Sequence, residues 1–356
     1  MKLHSLKIQN FRALSVAHLD FTDNLSKPKR VNLIVGPNGS GKTSILDAIL
    51  IVVRTLENPS SPRLRDALEF SVSQLVQSDA KQAKIEFEYA IEDDEAQAIN
   101  EVFHALNQKP PFSFKGDESP LKLPACVTWV FPTLKWDDKN QFSVLFNGSV
   151  NVLEARRLMV QANSKNLIQP SLFERVGGVC YLEQRRSLHM LKNYSLEPHT
   201  DKLNQDDVLS RLNLYYRKHL TWNQDKYGES YWQKIQRLFN QICSPAELIR
   251  LESGPHSDTL IIKKNHKEYD LFQMSSGEHQ ILRVLVGLVT ETAVNSIVLI
   301  DEIELHLHPA WQRKLVQALR EDQSNNQYII TTHSPFVKQL FFEDEIIELG
   351  DLGEQL

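Results

Sequence analysis

Cysteine is scarce in this chain of 356 residues: Cys126, Cys180 and Cys243 are odd in number, far apart and free of CxxC spacing. No disulfide framework or zinc site follows, and a reducing cytosol is the expected setting. Long apolar runs are also missing. Nowhere do about 18 uninterrupted apolar residues occur, so no membrane span is expected. The opening "MKLHSLKIQNF" alternates like a strand and lacks the apolar centre of a secretory signal. Without such a signal, the sequon "NGS" at Asn147 reads as a turn. Excess positive charge is absent too: the formal net charge is -5, against a protein coated in basic residues but silent about a local groove. No repeat, low-complexity tract or coiled-coil heptad run is visible.

What is present is a globular composition, 41% hydrophobic and 24% charged, of a length that implies two or three structural units. The first unit is β-rich. "LHSLKIQ" and "SVAHLDF" alternate with period two, "RVNLIV" is a short buried strand, and "AKIEFEYAI" alternates again before the acidic run "EDDE". Between them, "KTSILDAILIVVRTL" carries Ile45, Leu46, Ile49, Val52 and Val53 at helical spacing. Pro110 to Pro124 is loop-like, followed by strands in "ACVTWVF", "QFSVLF" and "GGVCYL". Asp206 to Cys243 reads as two amphipathic helices forming a helical lobe. The last hundred residues hold strands in "DTLIIKK" and "EYDLF", then helices alternating with the buried strands "SIVLID" and "QYIITTH". That alternation implies an α/β fold with a largely parallel sheet and helices on its faces. The expected divisions are 1–90, 91–245 and 246–356: an N-terminal lobe, an α/β insertion with the helical lobe, and a C-terminal lobe.

The strongest motif is "GPNGSGKT", Gly36 to Thr43, which fits GxxxxGK[ST] between a predicted strand and a predicted helix. In such a loop the backbone from Asn38, Gly39, Ser40 and Gly41 to Ser44 cradles phosphates. Lys42 reaches the β- and γ-phosphates and the Thr43 hydroxyl binds magnesium. Hydrolysis of a nucleotide also needs a carboxylate for the metal and a base for water. "SIVLIDE" supplies Asp301 for magnesium, directly or through water, and Glu302 for the base, with Glu304 next in order. "TTHSP" places His333 at the end of another buried strand, where ends of parallel strands gather, as a γ-phosphate contact.

"MSSGEHQ" is a helix start with two serines and a glycine at its tip, a shape suited to an anion. It resembles the LSGGQ signature of ATP-binding-cassette ATPases, with Met274, Ser275, Ser276, Gly277 and Glu278 aligned to it. The departures are Met for Leu, Ser for Gly and Glu for Gln. "IQNFRAL" is similar to the first strand end of the SMC, RecF and OLD ATPases, and "DEIELHLHP" to the "DEPExHLHP" form of the OLD-like branch, with Ile303 in place of proline. "YLEQRR" resembles the strand that leads into the family's glutamine loop.

The resemblance implies that Arg12 contacts nucleotide and that Gln184 contacts magnesium and water, with Arg185 or Arg186 as alternatives. It implies a cassette-type P-loop head. Two heads sandwich two Mg-ATP, and Ser275, Ser276, Gly277 and Glu278 face the partner's nucleotide. The chain lacks the long coiled coils of SMC proteins and any TOPRIM or HNH segment. It therefore looks most like the stand-alone OLD-like ATPases that pair with a separate nuclease or toxin in bacterial anti-phage systems such as Septu, PARIS and retrons. A repair ATPase of RecF or SMC type, and a slowly hydrolysing scaffold, are the alternatives. Basic pairs at Lys29/Arg30, Arg156/Arg157, Arg185/Arg186 and Lys263/Lys264 form either a DNA-facing groove or solvated surface.

Overall fold

Period-two alternation in the first twenty residues produces a hairpin. The structure, a computed structural model, describes residues 1–57, 75–107, 125–132, 143–147, 152, 155–156, 158–159, 172–182, 206–253, 258–289 and 294–350. Strands β1 (Lys2–Phe11) and β2 (Leu14–Asp20) pair antiparallel from Ser5↔Asp20 to Phe11↔Leu14. Leu3, Leu6, Ile8 and Phe11 face the core while Lys7 and Gln9 face out. Strand β3 (Val31–Val35) goes elsewhere. Strands β4 (Ala83–Ala90), β5 (Ala125–Phe131) and β6 (Ser143–Asn147) extend the hairpin into an antiparallel sheet of order β2-β1-β4-β5-β6. Asn147 of the sequon closes β6 opposite Cys126.

The central sheet is wholly parallel. It takes β7 (Val179–Leu182) from mid-chain, while β8 (Glu247–Ser253), β9 (Asp258–Lys264) and β10 (Lys267–Asp270) form a small antiparallel sheet of their own. With β11 (Ile297–Ile300), β12 (Gln327–Thr332) and β13 (Ile346–Glu348), its order is β13-β3-β12-β11-β7. Alternate residues of its strands serve two separate cores. Ile34, Tyr181, Leu299 and Ile329 pack toward the antiparallel sheet, and Leu33, Leu182, Ile300 and Ile330 pack toward the helical side. Each fully buried aliphatic side chain contributes about 1.5–3 kcal/mol of transfer free energy, so the sheet is fixed from both faces.

Nine helices are described: α1 (Lys42–Glu57), α2 (Asp93–Ala105), α3 (Leu172–Arg175), α4 (Asp206–Leu220), α5 (Gln224–Tyr227), α6 (Tyr231–Cys243), α7 (Ser276–Leu288), α8 (Pro309–Glu321) and α9 (Pro335–Lys338). Helix α1 lies between the two large sheets, against β1, β4 and β7. Its burial is therefore not a stripe: residues 45–53 are all buried, as expected of a helix apolar on every side. The acidic run "EDDE" after β4 opens a helix that its spacing did not indicate. Asp93, Asp94 and Glu95 form the first turn of α2, where carboxylates complement the helix dipole. Strand β8 is an addition to the expected elements, and Asp206 to Cys243 is helical as its spacing predicts.

Candidate functional site

The phosphate-loop residues bridge β3 and α1. Asn38 and Gly39 are exposed at the crest and Ser44 is half-buried, while Ser40 is buried, its hydroxyl without a hydrogen-bond partner among the described residues. Gly41 has φ +93°, and a Cβ there would lie 2.5 Å from Leu14 Cδ2, so the hairpin beneath the loop demands glycine. The loop ends in the first turn of α1, whose N–H groups favour an anion. Lys42 Nζ donates to the carbonyls of Gly36 and Pro37, both at 2.8 Å. Burial pulls its ammonium below the ordinary range, opposed by the field of Glu302, Asp301 and Glu304.

Those acids arrive through the register of the parallel sheet. Ile300 pairs with both Leu182 and Ile330, which sets Asp301 just past the shared edge, its amide bonded to Leu182 O at 3.0 Å. The Thr43 hydroxyl donates to Asp301 Oδ2 at 3.0 Å, across a separation of 258 residues. Thr331 Oγ1 donates to Asp301 Oδ1 at 2.6 Å and accepts from the Glu302 amide at 2.8 Å. Burial pushes the Asp301 carboxyl up, and the Thr331 and Thr43 hydroxyls hold it down.

Glu302 sits at φ +47°, a left-handed conformation that costs a non-glycine residue about 1–3 kcal/mol. This turn is tied down by Ile303, whose amide donates to Thr331 O at 3.2 Å, a bond that a proline in its place has no N–H to make. Glu304 follows, buried. Its Oε1 accepts from the His333 amide at 2.8 Å and lies 3.0 Å from His333 Nδ1. Glu302 Oε1 is 3.8 Å from the same nitrogen. Thr43, Asp301, Glu302 and His333 thus gather at one end of the sheet, as expected, with Thr331 and Glu304 as further members. Both were visible in "TTHSP" and "DEIELHLHP", but spacing alone assigned them no partner.

Arg12, also at left-handed φ, pairs with Asp47 one turn beyond Thr43 on α1, which brings it beside the phosphate loop. Gln184, Arg185 and Arg186 lie outside the described residues; β7 ends two residues before Gln184, at the edge shared with Asp301. Of the basic pairs, Arg156 is buried and donates to Val176 O, so it is not part of any surface groove. Its hydrogen-bonded burial beside Gly178 is structural. Lys29 donates to Asp344 O at 2.6 Å.

The "MSSGEHQ" tip has a definite architecture. Ser275 caps α7 in a reciprocal box with Glu278: the Ser275 amide and hydroxyl donate to Glu278 Oε2 at 2.7 and 2.9 Å. Tyr269 donates to Glu278 Oε1 at 2.8 Å. Glu278 is therefore turned inward, and the nucleotide contact expected of its side chain is replaced by a capping role. Ser275 and Ser276 are exposed. A Cβ on Gly277 would lie 3.0 Å from both His306 O and Trp311 Cζ3. Glycine here lets α7 close onto the "LHLHP" loop, where His306 is exposed and left-handed and His308 caps α8.

The hydroxyl–carboxylate pair of Thr43 and Asp301 offers hard oxygen ligands of the kind magnesium takes. The left-handed glycines and the helix start form a cradle for phosphates. Residues 31–337 match the family described as "AAA domain, putative AbiEii toxin, Type IV TA system". The chain belongs to this family. Its relatives include the "Retron Vc95 probable ATPase" of Vibrio cholerae, 25% identical over 99% of this chain and 74% of that one. The Septu protein PtuA of Bacillus thuringiensis is 33% identical over 28% of each chain. The DNA replication and repair protein RecF of Clostridioides difficile is 23% identical, covering 99% of this chain and 98% of its own. Among solved structures, the Smc head domain with an extended coiled coil from Pyrococcus furiosus, bound to the C-terminal domain of ScpA, superposes with a TM-score of 0.55. It is 15% identical, with 98% of this chain and 94% of that chain covered. The family member described here has the fold of an Smc head domain, with a parallel sheet between helices and a β-rich lobe.

Proposed function

We propose that this chain binds and hydrolyses ATP between two paired heads and that turnover controls a separate effector protein in a bacterial anti-phage system. The hydrolytic reading rests on one observation above all: the Thr43 hydroxyl and the Asp301 carboxylate, 258 residues apart, meet at 3.0 Å where the phosphate loop adjoins the sheet edge. Thr43 and Asp301 would hold magnesium, which supplies charge neutralisation at the phosphate oxygens when bound. Lys42 binds the β- and γ-phosphates, and Arg12 stands beside the same loop. Glu302 takes the proton of the water that attacks the γ-phosphorus as the bond to the β,γ-bridging oxygen breaks, and His333 holds the terminal phosphate.

Pairing of heads is supported by Gly277, which joins the Ser275–Ser276 tip to the His306 loop as one exposed surface. These are the two segments that the family resemblance assigns to the partner's nucleotide. The effector belongs to the reading through the retron and Septu relatives.

Complementation between two inactive variants tests the pairing. Ser275→Arg should bind ATP on its own phosphate loop and hydrolyse none, and Lys42→Ala should bind none. Mixed equally, they should recover on the order of a quarter of wild-type turnover, because random pairing leaves half the dimers with one composite site. Full activity of Ser275→Arg as an isolated monomer overturns the paired-head reading. ATP binding by the wild type without any turnover assigns the chain to a scaffold instead.

A further inference from the structure

We infer that Glu304 is a positioning residue: its carboxylate fixes His333 by the main-chain amide and by ring Nδ1, leaving Nε2 as the edge presented to the terminal phosphate. This rests on the reading that His333 meets that phosphate, and it gives Glu304, which the sequence offers only as the alternative base, a role of its own.

Glu304 is two residues from the proposed base, and as a bare sequence the two glutamates are interchangeable candidates. Their surroundings are not. Glu304 Oε1 already receives the His333 amide at 2.8 Å and stands 3.0 Å from Nδ1. Its Oε2 is buried and has no hydrogen-bond partner among the described residues. The side chain is 8% exposed, against 16% for Glu302. A carboxylate with one oxygen committed and the other shut away from solvent is poorly placed to take a proton from water. It is well placed to hold an imidazole: the oxygen that takes the His333 amide also faces ring Nδ1 of the same residue at 3.0 Å, so backbone and ring address one carboxylate.

His333 needs such a lock because its side chain, at the end of β12, is 41% exposed. A histidine whose Nδ1 is held by a carboxylate has its tautomer and orientation set, and removing such an outer partner costs about 10–100-fold where the histidine binds a metal. The left-handed backbone at Glu302 makes this possible, since it turns the chain beyond β11 back toward β12.

The test uses the full chain labelled with 15N-histidine, with His333 assigned by its loss in His333→Ala. In the nucleotide-free wild type, the Nδ1 proton should be seen and hydrogen-bonded. Glu304→Ala should abolish that signature, lower kcat about 10–100-fold and leave KM for ATP within about twofold. Glu304→Gln, which keeps an acceptor oxygen in the same place, should restore both the Nδ1 signature and most of kcat. An unchanged Nδ1 signature in Glu304→Ala overturns the inference. So does a Glu304→Gln protein that keeps the signature but turns over as slowly as Glu304→Ala, since charge rather than position would then matter. If the wild type hydrolyses no ATP, the proposed function fails, while the nucleotide-free signature still decides the role of Glu304.

Discussion

Thr331→Val removes the hydroxyl that joins Asp301, the proposed metal ligand, to the turn carrying the proposed base. Thr331 lies fully buried in β12. Its hydroxyl donates to Asp301 at 2.6 Å and accepts from the Glu302 amide at 2.8 Å. A hydrogen bond to a charged group contributes about 1.5–3 kcal/mol, and a donor left without a partner costs about 1–3 kcal/mol when buried. Glu302 is only half-buried, so water recovers part of the second figure. A loss of about 3 kcal/mol is expected, measured as the free energy of urea unfolding without nucleotide. The Asp301 carboxyl, already raised by burial, loses one of the two hydroxyls that hold it down. The left-handed turn at Glu302 also loses its tie, so kcat should fall about 10–100-fold. Thr331→Ser keeps the hydroxyl and loses one methyl group, so it should stay within about 1 kcal/mol of wild type with most of its activity. A Thr331→Val protein as stable and as active as wild type would refute the bridging role. A Thr331→Ser protein as damaged as Thr331→Val would show that the methyl group, not the hydroxyl, matters.

Lys42→Ala should abolish measurable Mg-ATP binding in isothermal titration, because it deletes the cation that the phosphate loop folds around; near-native affinity would sink the assignment of the loop. Glu302→Gln should bind ATP normally, turn over about 10²–10⁴-fold more slowly and accumulate as a nucleotide-loaded dimer in size-exclusion chromatography. Wild-type turnover in that variant would move the base elsewhere. Thiol titration at pH 8 should find Cys180 and Cys243 unreactive in the folded chain, since burial pushes the Cys180 thiol up to about 11 and raises Cys243 as well. Cys126, half-buried and also raised, should react alone and slowly, with all three reacting in denaturant. More than one rapid thiol before denaturation would contradict the burial of β7 and α6.

Local order was legible in the sequence because it depends on local spacing. Alternation in "LHSLKIQ" marks β1, the GxxxxGK[ST] pattern marks the turn from β3 into α1, and Ser275 with Glu278 marks a helix start. Each is an interaction within a few residues, so neighbouring side chains determine it. Tertiary structure decided what lies between those elements. "EDDE" opens a helix because Ala98, Ile99, Val102 and Phe103 find the core beneath them. Glu278 turns inward because Tyr269 meets it from the end of the small sheet. Gly277 is required by the closeness of His306 and Trp311, contacts that its own neighbours do not imply. The different surroundings of Glu302 and Glu304 arise only from the register of β11 against β12, which puts Thr331 beside Asp301 and His333 beside Glu304. The sequence by itself determined which side chains stand at the strand ends. The pairing of parallel strands, driven by burial on both faces of one sheet, decided which of them touch.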